Sequence, residues 1–215
     1  VWNNGWFATV QSKLKNLRVS FISPNLPNPE APEYIKWKNE ILKIIDNQFL
    51  RPNSNVNIII VAHSLACFAI LRLIDELLLK HKENLNDIQL INKLKCIFLV
   101  APIVSFHSKF PQFTNYNFSL LNKSFSDNNL QISPIKTYLL YSTDDNYVES
   151  IDIHNFIKCF SCLNANDSIN NGQIQHKETK SSILKIVYIE KQGYKHFMQD
   201  DLPFVTNLIV ENCIK

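Results

Sequence analysis

Val61-Ala62-His63-Ser64-Leu65-Ala66 sets a serine between a β-branched run and a long apolar stretch, with a small residue two positions away on each side. A serine hydroxyl becomes a strong nucleophile only when a base takes its proton, and a tight strand-to-helix turn presents it best to substrate. That turn strains the serine, and flanks larger than a methyl group would strike neighbouring backbone. Ala62 and Ala66 meet the steric condition, although glycine is usual at both flanks. A serine at a strand-helix junction can also be a simple N-cap, so Ser64 needs partners.

Those partners are an acid on a loop after a later strand and then a histidine near the C-terminus. The chain supplies Ser142-Thr143-Asp144-Asp145-Asn146-Tyr147-Val148 and then Gly193-Tyr194-Lys195-His196-Phe197. Each string follows a buried-strand pattern, at the strand ends where open α/β sheets place their sites. His196 would accept the Ser64 proton, and a carboxylate from Asp144 or Asp145 would fix its tautomer. Taken singly, the aspartates fit ordinary turn residues and His196 is one of 6 histidines. Their order in the chain is what points to a catalytic triad.

The elements needed to position these groups are legible in the hydrophobic pattern. Asn57 to Ala62 is continuously apolar, as in a parallel strand covered on both faces, and Leu65 to Lys80 is a long helical run. Cys96 to Val100, Thr137 to Tyr141 and Ile183 to Ile189 repeat the strand pattern, and Pro203 to Cys213 closes the chain as a helix. Arg18 to Ser23 reads as a further strand ending at Pro24, followed by a proline-rich loop. Beyond Pro32, apolar residues from Ile35 to Ile45 recur at helical spacing. Strands alternating with helices predict an α/β fold, a three-layer αβα sandwich on a mostly parallel sheet.

Composition bounds the function classes. The 215 residues fit one domain spanning 1–215, and Leu163 to Ser182 reads as a flexible surface insertion (163–182). No apolar run approaches the ~20 residues of a membrane span. The net charge of +3 is mild and its lysines are dispersed, which argues against a nucleic-acid partner. Five cysteines at irregular spacing suit a reducing, cytoplasmic setting better than a disulfide framework. Cys159 and Cys162 have metal-ligand spacing, but no second pair matches them, so neither metal nor cofactor is expected. With only 3 glycines, the alanine flanks of Ser64 fit a general shortage of glycine in this chain.

Together Gly5-Trp6-Phe7, the run Pro24 to Pro29 with Trp37, Ala62 to Cys67, Ser142 to Asp145 and Gly193 to Phe197 resemble the retinoblastoma-binding-protein-9-like, or YdeN-like, serine hydrolases over nearly the whole chain. The resemblance implies an α/β-hydrolase fold and a triad of Ser64, Asp145 and His196, with Asp144 the fallback acid. It also implies that His63 packs beside the nucleophile and that the Leu65 N–H serves an oxyanion hole. The similarity begins after the point where such proteins carry their first strand, which gives the second oxyanion donor. The chain is therefore expected to be N-terminally truncated, as its start without methionine also suggests, with Asn4, Gly5 and Trp6 as a remnant of that strand's loop. The retinoblastoma-type L-x-C-x-E motif is not found; its nearest run, Leu94 to Phe98, lacks the acid.

The expected function is hydrolysis of a small ester, thioester or amide, with a small-molecule acyl substrate and no cofactor. The alternative is a non-catalytic member of the same fold that binds a protein or small molecule.

Overall fold

In a computed structural model, residues 5–49, 56–80, 85–105, 109–118, 121, 132–160 and 183–214 are described. Four parallel strands form one sheet in the order β1-β2-β3-β4: Ile58–His63, Leu94–Val100, Ile135–Ser142 and Leu184–Lys191. Consecutive strands are spatial neighbours, joined by crossovers that carry helices. α3 (Leu65–Lys80) and α4 (Leu85–Lys93) lie between β1 and β2, the short α5 (Pro111–Thr114) between β2 and β3, and α6 (Ser150–Phe160) between β3 and β4. α1 (Trp6–Asn16) and α2 (Tyr34–Phe49) precede the sheet, and α7 (Pro203–Ile214) follows it.

Alternation along the strands splits the core in two. Ile97 and Leu99 of β2 join a cluster with side chains of α2, α3, α4 and α6. Cys96, Phe98 and Val100 point the other way, into a cluster with α1 and α7. A period of two along a strand sends neighbours to opposite faces, so a sheet apolar on both sides must be covered on both. The result is the expected three-layer α/β sandwich.

α3 runs from Leu65 to Lys80 as its apolar pattern predicts, and it is buried around most of its circumference. A charged network ties it to α2 and to the segment before β3. Lys38 and Arg72 both bond Glu76, at 2.6 and 2.9 Å, and the Arg72 guanidinium lies over the rings of Tyr34 and Tyr116. The wholly buried Asp75 accepts bonds from the Tyr116 hydroxyl at 2.8 Å and the Leu121 N–H at 2.7 Å. A buried carboxylate is tolerable only with such donors.

One element departs from expectation. Arg18 to Ser23 is not a strand. Arg18 lies at φ 57° and closes α1 in a Schellman turn, with Val19 N–H donating to Leu14 O and Arg18 N–H to Lys15 O, both at 3.0 Å. Val19 and Phe21 then alternate toward the α1/α7 cluster as strand residues would. However, β1 is the last strand of the sheet on that side, and no ladder among the described residues reaches them. Helices α1, α4 and the short α5 were also not anticipated, and of α6 only its end near Cys159 was. In α1 the signal was available, since Trp6, Val10 and Leu14 are buried at helical spacing and Lys13 and Lys15 occupy its last turn. The 163–182 stretch lies outside the described residues, as do Cys162 and the Cys159 side chain.

Candidate active site

Ser64 alone connects β1 to α3, and it sits at φ 57°. An L-residue there pays roughly 1–2 kcal/mol in contacts between Cβ and backbone. The surrounding backbone fixes the turn. The Ser64 N–H donates to Val100 O at 2.9 Å, while Ser64 O accepts from the N–H groups of Cys67 and Ile103 at 3.0 and 3.3 Å. Ala62 is 3% exposed, so the methyl flank fits where glycine is usual. Cys67 lies beneath the turn, its thiol bonded to Val100 O at 3.6 Å and pushed up in pKa by burial. Such a thiol is a packing group, not a nucleophile.

The three residues named from the sequence meet. His196 Nε2 lies 2.8 Å from Ser64 Oγ, and His196 Nδ1 lies 2.8 and 3.1 Å from the two carboxylate oxygens of Asp145. A carboxylate only accepts, so Nδ1 carries the proton and Nε2 is left to accept from the Ser64 hydroxyl. The side chains of His196 and Asp145 are 10% and 2% exposed, which shields their bond from water while leaving one edge of the imidazole reachable. Asp145 Oδ1 also accepts from the N–H groups of Tyr147 at 2.7 Å and Val148 at 3.2 Å. These donors hold the carboxylate against rotation.

Asp144, the alternative acid, has a different task. Its carboxylate accepts from the Ser142 hydroxyl at 2.5 Å, Gly193 N–H at 3.0 Å and Lys195 N–H at 3.3 Å. The Ser142 hydroxyl, followed by those amides, holds the Asp144 carboxyl below its usual range. The adjacent acids thus divide the work: Asp145 grips the imidazole and Asp144 grips the loop that carries it. Gly193, at φ 83°, lets the loop leave β4.

Leu65 is the first residue of α3, so its N–H has no acceptor within the helix, and it follows Ser64 directly in the chain. That is the position expected of an oxyanion donor. Asn4 lies outside the described residues. Gly5 caps α1 at φ 109°, and Trp6 is buried with its indole N–H donating to Phe197 O at 3.2 Å. His63 Nε2 is 2.8 Å from His196 O. Only donation satisfies that carbonyl, so His63 carries its proton on Nε2. Burial, ahead of every other cause, lowers the His63 pKa to about 4, so it is neutral near pH 7. Tyr147, 65% exposed, holds its ring 4.9 Å from that of His196 and forms an open aromatic wall beside it. Sequence reasoning held Asp144 only as the fallback acid and missed its grip on the loop, the Tyr147 wall and the bonding roles of Trp6 and His63; no local motif announces a contact with a loop that lies from about fifty to nearly two hundred residues away.

Two outcomes follow from this geometry. Ser64→Gly should be about 1 kcal/mol more stable than Ser64→Ala to urea, because only glycine is released from the left-handed penalty. Neutral, half-buried His63 should make folding stability fall as pH drops from 6.5 toward 4. The unfolded imidazole takes up a proton there and the folded one, flanked by His196 and Asp145, does not. The shift corresponds to about 3 kcal/mol, and His63→Gln should flatten the stability-pH curve by a comparable amount in urea titrations at pH 4 to 7.

Comparison with known proteins agrees with the fold. No curated protein matches the chain. Among solved structures, the ydeN gene product of Bacillus subtilis superposes with a TM-score of 0.65 at 20% identity, covering 99% of this chain and 92% of that one. Est1E from Butyrivibrio proteoclasticus gives 0.55 at 12% identity over 97% and 81% of the two chains. The monoacylglycerol lipase of Paleococcus ferrophilus gives 0.53 at 12% identity over 95% and 87%. At such identities these likenesses establish the α/β-hydrolase fold. A family profile described as Serine hydrolase matches residues 3–178, a span that includes both Ser64 and Asp145. With that match over most of its length and the fold of the YdeN protein, the chain belongs to the serine hydrolase family.

Proposed function

We propose that this protein hydrolyses a small ester, thioester or amide through an acyl-enzyme on Ser64, with His196 as general base and acid and Asp145 as the group that orients it. One observation carries this reading: the continuous hydrogen-bonded line from Asp145 through His196 to Ser64 Oγ, with 2.8 Å at each imidazole nitrogen. A histidine held merely for structure would have no need of a strained serine at one nitrogen and, at the other, a carboxylate itself held by two backbone N–H groups.

The chemistry runs in two halves. Ser64 Oγ attacks the substrate carbonyl carbon as His196 Nε2 takes the hydroxyl proton, and Asp145 stabilises the imidazolium that forms. The tetrahedral oxyanion faces the Leu65 N–H at the positive end of α3. Collapse expels the alcohol, thiol or amine, which leaves with the proton from His196. Water then enters, gives a proton to the same nitrogen and attacks the acyl carbon, and the second collapse breaks the bond to Ser64 Oγ, which takes that proton back from His196 as the acid is released. No metal or organic cofactor takes part in this scheme. The substrate is a small-molecule acyl compound, and Tyr147 lies where it would contact a group leaving past the imidazole.

p-Nitrophenyl acetate hydrolysis tests the proposal. The wild-type chain should turn over, Ser64→Ala should fall to background, and Asp145→Asn should lose about 10⁴-fold in kcat with KM little changed, because the wrong tautomer blocks the proton transfer. Wild-type turnover at the Ser64→Ala rate would favour a binding protein on the same fold.

A further inference from the structure

The loop that carries His196 is strained on both sides of it. Lys195 and Phe197 lie at φ 46° and 53°, neither a residue suited to the left-handed region. Such residues cost on the order of 1–3 kcal/mol each and persist only where neighbours over-determine them. The Asp144 side accounts for the loop's entry, through Gly193 and Lys195. The exit is held by side chains from elsewhere in the fold. His63 Nε2 donates to the His196 carbonyl at 2.8 Å, and the Trp6 indole donates to the Phe197 carbonyl at 3.2 Å.

Two consecutive carbonyls are thus clamped by two ring N–H donors, one from the end of β1 and one from the start of α1. The donors are themselves braced. Trp6 stacks on Phe7 at 3.9 Å between ring centroids, and both rings meet His63 edge-on at 6.3 and 6.5 Å. The clamped residue is also rigid beneath: Phe197 is wholly buried and its ring stacks on Tyr194. His63 adjoins Ser64 in the chain, so this clamp ties the backbone of the base directly to the backbone of the nucleophile. Its ring lies 5.1 Å from that of His196, and in the neutral state it adds no positive charge to oppose the imidazolium.

We propose that His63 and Trp6 are positioning residues for the reaction, setting the distance and aim of His196 Nε2 toward Ser64 through hydrogen bonds to the peptide carbonyls of residues 196 and 197. The inference rests on the Ser64–His196–Asp145 reading and adds to it a donor pair that never touches substrate. It assigns the residue preceding the nucleophile a specific requirement: an N–H donor at the Nε2 position, uncharged.

The test is p-nitrophenyl acetate hydrolysis by wild type, His63→Leu, His63→Gln and Trp6→Phe, with melting temperatures alongside. Glutamine places an uncharged N–H near the original Nε2, leucine fills the space without a donor, and phenylalanine keeps a ring but loses the indole N–H. His63→Leu should lose about 10- to 100-fold in kcat with KM nearly constant, the scale of a small misalignment of reacting groups. His63→Gln should recover to within about threefold of wild type. Trp6→Phe should lose about 3- to 10-fold in kcat with KM nearly constant while the protein stays folded at the assay temperature, its melting temperature lowered by the lost bond and volume. A wild-type kcat in His63→Leu, or a His63→Gln as slow as His63→Leu while equally folded, would overturn the inference. If His63→Leu fails to fold, a wild-type kcat in Trp6→Phe overturns it and a reduced one supports it. An inactive wild type would instead remove the triad reading on which it stands.

Discussion

A single residue, Ser64, carries the chain from the end of β1 into α3, and it does so in the left-handed region at φ 57°. The two elements it joins are among the most constrained in the molecule: β1 is hydrogen-bonded to β2 along its length, and α3 is buried on most sides. Neither can shift to relieve the turn, so the strain stays at the serine and its side chain stays out of the core. The same junction makes the Leu65 amide, the first of α3, the next group in the chain after Ser64. Strand, turn and helix thus fix together the placement of the serine proposed as nucleophile and the helix amide proposed as oxyanion donor.

The opposing side of the site solves a harder problem, since an imidazole must be aimed from a loop. Here the molecule uses the backbone of that loop as its handle. Asp144 and Ser142 take hold at residues 193 to 195, and His63 and Trp6 take hold at 196 and 197. Asp145 meets the ring itself. Hydrogen bonds thus arrive from β1, from α1 and from β3 with the turn after it, while Phe204 of α7 packs on the rings of Tyr194 and Phe197, and a displacement of any of these would be felt at His196 Nε2. Loops are ordinarily the least determined parts of a fold, and this one is held at nearly every residue.

Much of this was legible beforehand, for identifiable reasons. Buried parallel strands are continuous apolar runs, and all four appear within two or three residues of their expected bounds. Ser64, His196 and the Asp144-Asp145 pair were singled out from chain order and strand-end position, because topology brings the carboxyl ends of parallel strands to one edge, and the side chains of Ser64, His196 and Asp145 do meet there. Spacing could not separate Asp144 from Asp145; that choice came from family resemblance, and the distinct bonding of the two carboxylates explains why neighbours are not interchangeable. Arg18 to Ser23 misled because its side chains alternate as in a strand while Arg18 is spent on closing α1. Whether an extended segment pairs depends on a neighbour, which its own residues do not encode. The His63 and Trp6 bonds were invisible for a related reason: both partners are backbone carbonyls, and carbonyls carry no sequence signature.

The central claim is that the fold activates one serine. The most direct measurement is reaction of the chain with a fluorophosphonate, followed by intact-mass analysis and peptide mapping. The account predicts one adduct per chain, located on Ser64, and none in His196→Ala under the same exposure. Absence of an adduct on the folded wild-type chain, or an adduct on another residue that survives Ser64→Ala, would contradict it.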